Sequence, residues 1–512
     1  MPSFTFFDLF AGIGGFRLAL QNLGGKCLGF SEIAPDAIHY YCTNFRENPN
    51  LNFGDITKIK DLPYHDFMTA GVPCQSWSIA GKNLGFDDDR GQLWNDTLYL
   101  LNKVRPKVFI FENVKGLADP RNQNALNFIL KRIAEAGYYA DYYLLNACDY
   151  GIPQTRVRIY IIGFKEKKYF NKFKIPSPNS INVRLSSILD HGKEIIVNNS
   201  ISNNVKSRWS LSCNNQGFND YFLFNDLRNG STTVHSWDIQ NTTERQKQLC
   251  TILLTNRRKK NFGILDGNPL SLKQFQSIDP SITQEELDEL VELYILKEIS
   301  YLYKITDYHY NGLTDSQKLV LSFNEHGILN IDKLKTKREF KIRKISVSDT
   351  LTELMALGII TCIEKRYDFK NTKISTGLNG INRIFLPSSN IYPTLVASDT
   401  NDFVTSVTIE AKTIEDYKEK FIKEVFEKQQ YRKISKSEAC KLQGFPADYQ
   451  LPESRARWMK LIGNSVAVPV VQKIAKEILK TGVFGDKTEC SEENLLEQNE
   501  QNIVQLSLFD KI

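Results

Sequence analysis

The first third of the chain alternates short apolar runs with amphipathic stretches. Residues 4–10 (Phe-Thr-Phe-Phe-Asp-Leu-Phe) predict a strand, residues 11–15 a glycine-rich turn, and the residues from Phe16 onward a helix. Apolar runs at 27–31, 67–70, 107–111 and 159–163 predict further strands, and helices are expected over 94–104 and 124–136. Strands that are apolar on consecutive residues need cover on both faces. With helices between them they predict a Rossmann-like, doubly wound α/β sheet. From about residue 186 to 395 the alternation stops, and Asn, Ser, Thr and Lys become frequent. That change predicts a second, α+β region inserted in the chain.

Composition narrows the class. With 41% hydrophobic and 24% charged residues the chain reads as a globular protein, and no apolar run is long enough to predict a membrane span. Its N-terminus lacks the basic-then-apolar pattern of a secretion signal. The nine cysteines are scattered and contain no Cys-x-x-Cys pair, which argues against a disulfide framework or a zinc site and for a reducing cytoplasm. No metal is expected. A net charge of +6 is compatible with a polyanionic partner without requiring one.

Candidate chemistry gathers at the carboxyl ends of the predicted strands, where open α/β sheets bind ligands. The turn after the first strand brings backbone close to a ligand and opens a helix whose N–H groups are unpaired. Glu32 ends the second strand, placed to accept from ribose hydroxyls, and Asp55, after a short third strand, could accept from an adenine amino group. Singly, each acid is as readily a helix cap or a surface charge; together the three features predict an adenosine-containing ligand. The strand at 67–70 runs into Gly71-Val-Pro73 and then Cys74. A cysteine there is a candidate nucleophile, although most free cysteines are simply small buried apolar residues. The strand at 107–111 ends in Glu112, close to the thiol in such a sheet. Arg156 and Arg158 alternate along an extended segment and therefore face one side.

In combination these residues resemble a family. Asp8-Leu-Phe-Ala-Gly-Ile-Gly-Gly15, Pro73-Cys-Gln-Ser-Trp-Ser78, Glu112-Asn-Val114, Gln154-Thr-Arg-Val-Arg158, Glu438-Ala-Cys-Lys-Leu-Gln-Gly-Phe-Pro446 and Gly463-Asn-Ser-Val466 are similar, in content and order, to the motifs of the cytosine-C5 DNA methyltransferases. Trp77 departs from the usual Phe. The resemblance covers roughly residues 4–165 and 430–480. It implies a site-specific bacterial type II modification enzyme that transfers a methyl group from S-adenosylmethionine to C5 of a flipped-out cytosine in duplex DNA. The expected catalytic set is Cys74 as nucleophile, Glu112 as an acid at the cytosine N3, Asn113 orienting the loop, and Arg156 and Arg158 binding the base. The cofactor is expected at Phe10, Ala11, Gly12, Gly14, Glu32, Ile33, Asp55, Ile56, Pro73, Leu93, Asn464 and Val466. Residues 76–96 are expected to form a lid.

By this resemblance the chain divides into a cofactor-binding catalytic part (1–185), a target-recognition region (186–395), a hinge and return to the catalytic domain (396–482) and an acidic tail (483–512) expected to be disordered. Within the recognition region, residues 270–275 followed by 282–297 resemble residues 329–334 followed by 345–361. Each predicts a short helix, a second helix capped by Thr283 or Ser346, and a strand. That is the outline of a winged helix-turn-helix, expected once or twice within 266–370; two ordinary amphipathic helices are the plainer reading. Basic clusters at Arg257-Arg258-Lys259-Lys260 and at Lys333, Lys335, Lys337, Arg338, Lys341, Arg343 and Lys344 suit phosphate contact, or a solvated basic face. Gln505-Leu-Ser-Leu-Phe509 resembles the clamp-binding peptides of bacterial replication proteins. The chain is expected to be a cytoplasmic, nucleoid-associated monomer. Rival readings are a tRNA cytosine-C5 methyltransferase and a catalytically silent DNA-binding regulator.

Overall fold

The computed structural model describes residues 4–73, 89–179, 183–190, 218–306, 312–374 and 376–485, with side chains from Leu93 onward in the second of these segments. Two compact units emerge. The first comprises Met1–Ile201, Ser388–Thr400 and Ile434–Ile512, the second Ser202–Pro387 and Asn401–Lys433.

The first unit is built on a six-stranded sheet. Its elements are β1 (Phe4–Leu9), α1 (Gly15–Gln21), β2 (Gly25–Ser31), α2 (Pro35–Phe45), β3 (Phe67–Gly71), α3 (Asp89–Val104), β4 (Val108–Val114), α4 (Gln123–Glu135), β5 (Tyr139–Asn146), β6 (Val157–Phe164) and α5 (Lys167–Lys172). The strand order is β2-β1-β3-β4-β6-β5. The pairs from β2 to β4 are parallel, and β6 runs antiparallel to both β4 and β5. Order reverses between β1 and β3, and a doubly wound sheet opens its ligand crevice at such a point. Strands β1, β3 and β4 are buried on consecutive residues, as strands covered by helices on both faces must be. Phe7, Met68, Phe109 and Phe111 pack one face against Trp94 and Leu101 of α3 and Leu126 and Ile129 of α4. The strand expected before Asp55 is absent. A 3₁₀ turn at Pro49–Leu51 and a single bridge from Asn52 to Phe30 stand in its place.

The second unit begins with β7 (Tyr221–Phe224), β8 (Thr233–Val234), α6 (Ser236–Ile239) and α7 (Glu244–Asn256). There follow α8 (Leu272–Gln276), α9 (Gln284–Glu292), β9 (Leu296–Ile305), α10 (Asp315–Ser322), β10 (Ile328–Asn330), α11 (Ile331–Thr336), α12 (Arg338–Ile342), α13 (Val347–Ala356) and β11 (Ile360–Phe369). Strands β12 (Arg383–Phe385) and β13 (Asp402–Val404) and helix α14 (Ile414–Phe421) complete it.

An internal repeat is visible in this order. Helices α7 and α10 each start at a threonine capping box, Thr243 with Gln246 and Thr314 with Gln317. Each is followed by a short strand pairing, a short helix (α8 or α11), a capped helix (α9 or α13) and a long strand (β9 or β11). The hairpin that a winged helix-turn-helix adds to each unit is missing among the described residues. Instead β9 and β11 pair with each other, Leu296 opposite Phe369 and Ile305 opposite Ile360. A lone strand leaves its backbone groups unpaired, so each copy satisfies the other. The exchange extends to the cores. Tyr301, Tyr303 and Ile305 of β9 pack with Leu321, Leu351 and Leu354 of the second copy, and Tyr367 and Phe369 of β11 pack with Leu249, Leu287 and Leu290 of the first.

Two segments depart from the boundaries expected from sequence. Residues Ser388–Thr400 belong to the first unit, where Pro393 bridges Thr155, whereas Asn401–Lys433 belong to the second, where β13 pairs with β12. The chain then returns to the first unit through α15 (Lys436–Gln443), α16 (Arg455–Asn464) and α17 (Val468–Lys480). Arg457 pairs with Asp36 at 2.6 Å, Asn44 and Gln450 exchange hydrogen bonds, and the Tyr449 hydroxyl donates to the Ile13 carbonyl. This part of the fold is therefore one domain interrupted by the second unit. No helix among the described residues is long and apolar enough to cross a membrane.

Candidate active site

Register places the site. Gly71 at the end of β3 pairs with Glu112 of β4, and Val114 of β4 pairs with Arg158 of β6. The residues that continue from β3, Val72 and Pro73, therefore leave the sheet beside Glu112. Cys74 and most of the expected lid lie outside the described residues. Asn113 donates to the Val72 carbonyl at 3.2 Å and fixes the start of that segment against β4.

Glu112 is buried, and its Oε1 meets Nε of Arg158 at 3.1 Å. Burial raises its pKa above the ordinary glutamate value, while the charges of Arg158 and Arg156 pull it back. A carboxyl balanced in this way can hold a proton or share one with a ring nitrogen, which is what an acid next to a pyrimidine needs.

Arg156 departs from the expected role. Its side chain is buried, and its guanidinium donates to three carbonyls: Leu395 at 2.9 Å, Gly463 at 3.1 Å and Ser465 at 2.6 Å. It fastens the returning segments to the sheet, and its charge reaches Glu112 only at longer range. Two charges two residues apart share a side of a strand, but Thr155 and Arg156 precede β6 and are bound to the 388–400 segment, so the alternation does not reach them.

The turn after β1 is where the cofactor is expected. Phe10 and Gly12 take positive φ values of 52° and 55°, which turn the backbone sharply. A Cβ on Gly12 would meet nothing within 4 Å, so the turn opens onto free space, whereas one on Gly14 would strike Phe45 at 2.3 Å. Glu32 accepts from Gly12 N at 2.8 Å through Oε2 and from Ile33 N and Ala34 N at 2.8 and 2.9 Å through Oε1. A carboxylate offers about four acceptor positions, so one on Oε2 remains for a hydroxyl. Ile33 beside it is 70% exposed, an unusual state for a large apolar side chain and one that suits cover by a flat ring. Asp55 caps the turn Ile56–Lys58, its Oδ1 accepting from Thr57 N at 3.0 Å, while Oδ2 lies 3.7 Å from Nζ of the exposed Lys58 and can still accept from a ligand. The hydrogen bonds from Thr57 hold its pKa below the ordinary value.

Other expected cofactor residues divide by orientation. Ile56 is buried in the sheet's core cluster, so position 56 faces a ligand only through backbone. Ala11 and Val466 are buried, and Val466 lies so close to α1 that a Cβ on Gly15 would meet it at 2.7 Å. Pro73 and Leu93 are half-buried, and Asn464 is exposed at the end of α16. The open turn at Gly12, the spare acceptor on Glu32 and the exposed Ile33 fit an adenosine-bearing methyl donor.

Residues 4–480 match the family described as C-5 cytosine-specific DNA methylase. The chain belongs to the cytosine-C5 DNA methylases. It is 37% identical to the type II methyltransferase M.HgiBI of Herpetosiphon aurantiacus over 94% of this chain and 98% of that protein. It is 31% identical to M.NlaIV of Neisseria lactamica over 94% of this chain and 100% of that protein. Identity to M.HhaI of Haemophilus parahaemolyticus is 42%, confined to 38% of this chain and 59% of that protein. As a methylase of this family the chain is a DNA cytosine-5-methyltransferase with S-adenosylmethionine as co-substrate.

Several positioning residues of this methylase escape a reading by motif. Asn52 donates to the Glu32 carbonyl at 3.0 Å and accepts from the N–H groups of Glu32 and Gly54, tying the Glu32 strand end to the Asp55 turn. Gln154 donates to the Leu442 carbonyl and to Gln443, and Gln443 donates to the Ile462 and Ser465 carbonyls. An Asn two residues before a glycine is a turn signal that could have marked Asn52; nothing local marks the Gln154–Gln443 contact.

Proposed function

We propose that Cys74, Glu112 and Arg158 carry out methylation of a flipped-out cytosine within a fixed site in duplex DNA, as the modification arm of a restriction–modification system. The reading rests on one observation: Glu112, buried and paired to Arg158, stands in register with the strand end that leads into Pro73-Cys74. In it the Cys74 thiolate adds to C6, Glu112 supplies a proton or hydrogen bond at N3 as charge builds on the ring, and C5 becomes nucleophilic. Arg158 holds Glu112 in place and offers its remaining N–H groups to the base oxygen. S-adenosylmethionine, held at Gly12, Glu32, Ile33 and Asp55, supplies the methyl group. A water then takes the C5 proton, the C5–C6 double bond re-forms, and Cys74 leaves C6 as the thiolate.

Duplex DNA carrying 5-fluorocytosine tests this directly, because C5 then has no proton to lose. With S-adenosylmethionine present, the wild type should become covalently attached through Cys74, and Cys74→Ala should not. Attachment of Cys74→Ala, or methyl transfer by it, would overturn the assignment. Transfer to tRNA in place of DNA would favour the RNA enzyme.

The type II relatives and the family's substrate support a place with the host DNA, in the cytoplasm. The sequence Gln505-Leu-Ser-Leu-Phe509, which lies outside the described residues, is proposed to engage a sliding clamp through Leu506, Leu508 and Phe509. A 500–512 peptide should bind purified clamp and lose binding when Leu508 and Phe509 become alanine; equal binding by both peptides would end the proposal.

A further inference from the structure

The two copies of the repeat share a fold but carry opposite charge. Leu329 pairs with Tyr303 and Leu270 with Tyr367, and each tyrosine stands at the equivalent place in its strand, so the copies correspond residue by residue across the β9–β11 ribbon. The short helix and the linker to the capped helix can therefore be compared directly. In the first copy, residues 271–283 hold Lys273 and Asp279, and Asp279 is taken up by Arg245 at 2.8 Å. In the second, residues 331–344 hold seven basic side chains, all exposed, against a buried Asp332 bonded by Tyr301 and an exposed Glu339.

The capped helices point the other way. α9 carries Glu285, Glu286, Asp288, Glu289 and Glu292, and α13 carries Asp349 and Glu353. In helix-turn-helix units this is the helix that enters the major groove. Phosphates on both sides of the groove repel an acidic helix, so neither copy suits that mode. The cluster at 257–260 is also less available than its sequence suggests. Arg257 is buried, bonded to Asp368 at 3.1 Å, and Arg258 faces Asp266 at 3.5 Å.

We propose that the second copy grips the DNA backbone through the exposed basic face of α11, α12 and the linker to α13, while the acidic α9 of the first copy faces away from DNA. Of the seven basic residues, Lys333 is paired with Glu325 and Lys337 lies over the Phe323 ring. Lys335, Arg338, Lys341, Arg343 and Lys344 form no ion pair with an acid among the described residues, although the charge of Lys335 reaches Asp368. Ammonium and guanidinium groups on a short, exposed arc meet phosphates irrespective of base, so the contact adds affinity without adding sequence preference. The inference rests on the chain's being a DNA methylase but not on the roles of Cys74 and Glu112.

The test is DNA binding by the full chain as a function of salt. Lys335→Gln, Arg338→Gln, Lys341→Gln and Arg343→Gln combined should lower the slope of log K against log salt by about 3.6, since each of the four phosphate contacts contributes about 0.9. The loss should be the same for duplexes with and without the methylation site. Glu285→Gln with Glu292→Gln, exposed on α9, should leave affinity and slope unchanged. A slope change below about 1 in a variant with wild-type circular dichroism overturns the proposal. So does a loss confined to one DNA sequence, and so does tighter binding by the α9 variant.

Discussion

Arg156 and Gln443 converge on one acceptor. The guanidinium donates to the Ser465 carbonyl at 2.6 Å and the amide nitrogen at 3.0 Å, one from the segment that leads into β6 and the other from a helix that returns after the second unit. Around them Gly463 lies against the backbone of Val396 so closely that a Cβ would come within 2.3 Å of the Val396 carbonyl carbon. The knot fixes Val466 against α1, just after the glycine-rich turn that follows β1.

Arg156→Met should therefore act on the fold. The carbonyls of Leu395 and Gly463 lose a buried donor, at about 1–3 kcal/mol each, while Ser465 keeps Gln443. A loss of about 2–6 kcal/mol in urea unfolding, together with weaker binding of S-adenosylmethionine, is the expected outcome.

Arg158→Ala should leave the fold largely intact and lower activity. Among the described residues its guanidinium meets Glu112 and its own neighbouring carbonyl, that of Val157. Without that charge the buried Glu112 rises further in pKa and stays neutral to higher pH. The pH–rate profile should move to the alkaline side, and the single-turnover rate should fall. Glu112→Gln, which preserves shape but cannot give up a proton, should reduce that rate by about 10²–10⁴-fold with unfolding unchanged.

Gly12→Ala and Gly14→Ala should separate ligand binding from folding. Both positions have positive φ, but only at Gly14 is the space filled, by the Phe45 ring. Gly12→Ala should fold, at a cost of about 1–2 kcal/mol in backbone strain, and bind S-adenosylmethionine poorly by calorimetry. Gly14→Ala should lose more stability on thermal unfolding, because Phe45 and Tyr41 must move.

Asp8 gives the protein a pH dependence of its own. It lies fully buried at the end of β1, bonded to the Thr69 hydroxyl at 3.0 Å, and burial pushes its pKa up to about 8. Between about pH 4 and pH 8 the native state holds this proton and the unfolded chain does not. Stability contributed by the neutral acid is therefore complete below pH 4 and is lost as pH rises toward 8, by up to about 1.4 kcal/mol per pH unit. Asp8→Asn should flatten the decline in chemical-denaturation stability over that window.

The parallel core was legible because its signal is local. Strands β1, β3 and β4 are apolar on consecutive residues, and the turn at Gly12, the acid at Glu32 and the acid at Glu112 each stand at a strand end that the apolar runs delimit. The repeat in the second unit was partly legible for the same reason, through its caps at Thr283 and Ser346. Its first helices, α7 and α10, carry equally local signals in Thr243-x-x-Gln246 and Thr314-x-x-Gln317.

Chain order and residue type by themselves determined the α/β core, its glycine-rich first turn and the candidates for chemistry. Tertiary structure decided which arginine faces Glu112 and which one holds the chain together, because Arg156 and Arg158 differ only in what folds back against them. It also decided that β9 and β11 complete each other's cores, and that the segments on either side of Thr400 part ways. These outcomes depend on contacts between residues dozens to hundreds of positions apart, and a strand's need for a partner does not say which strand will supply it.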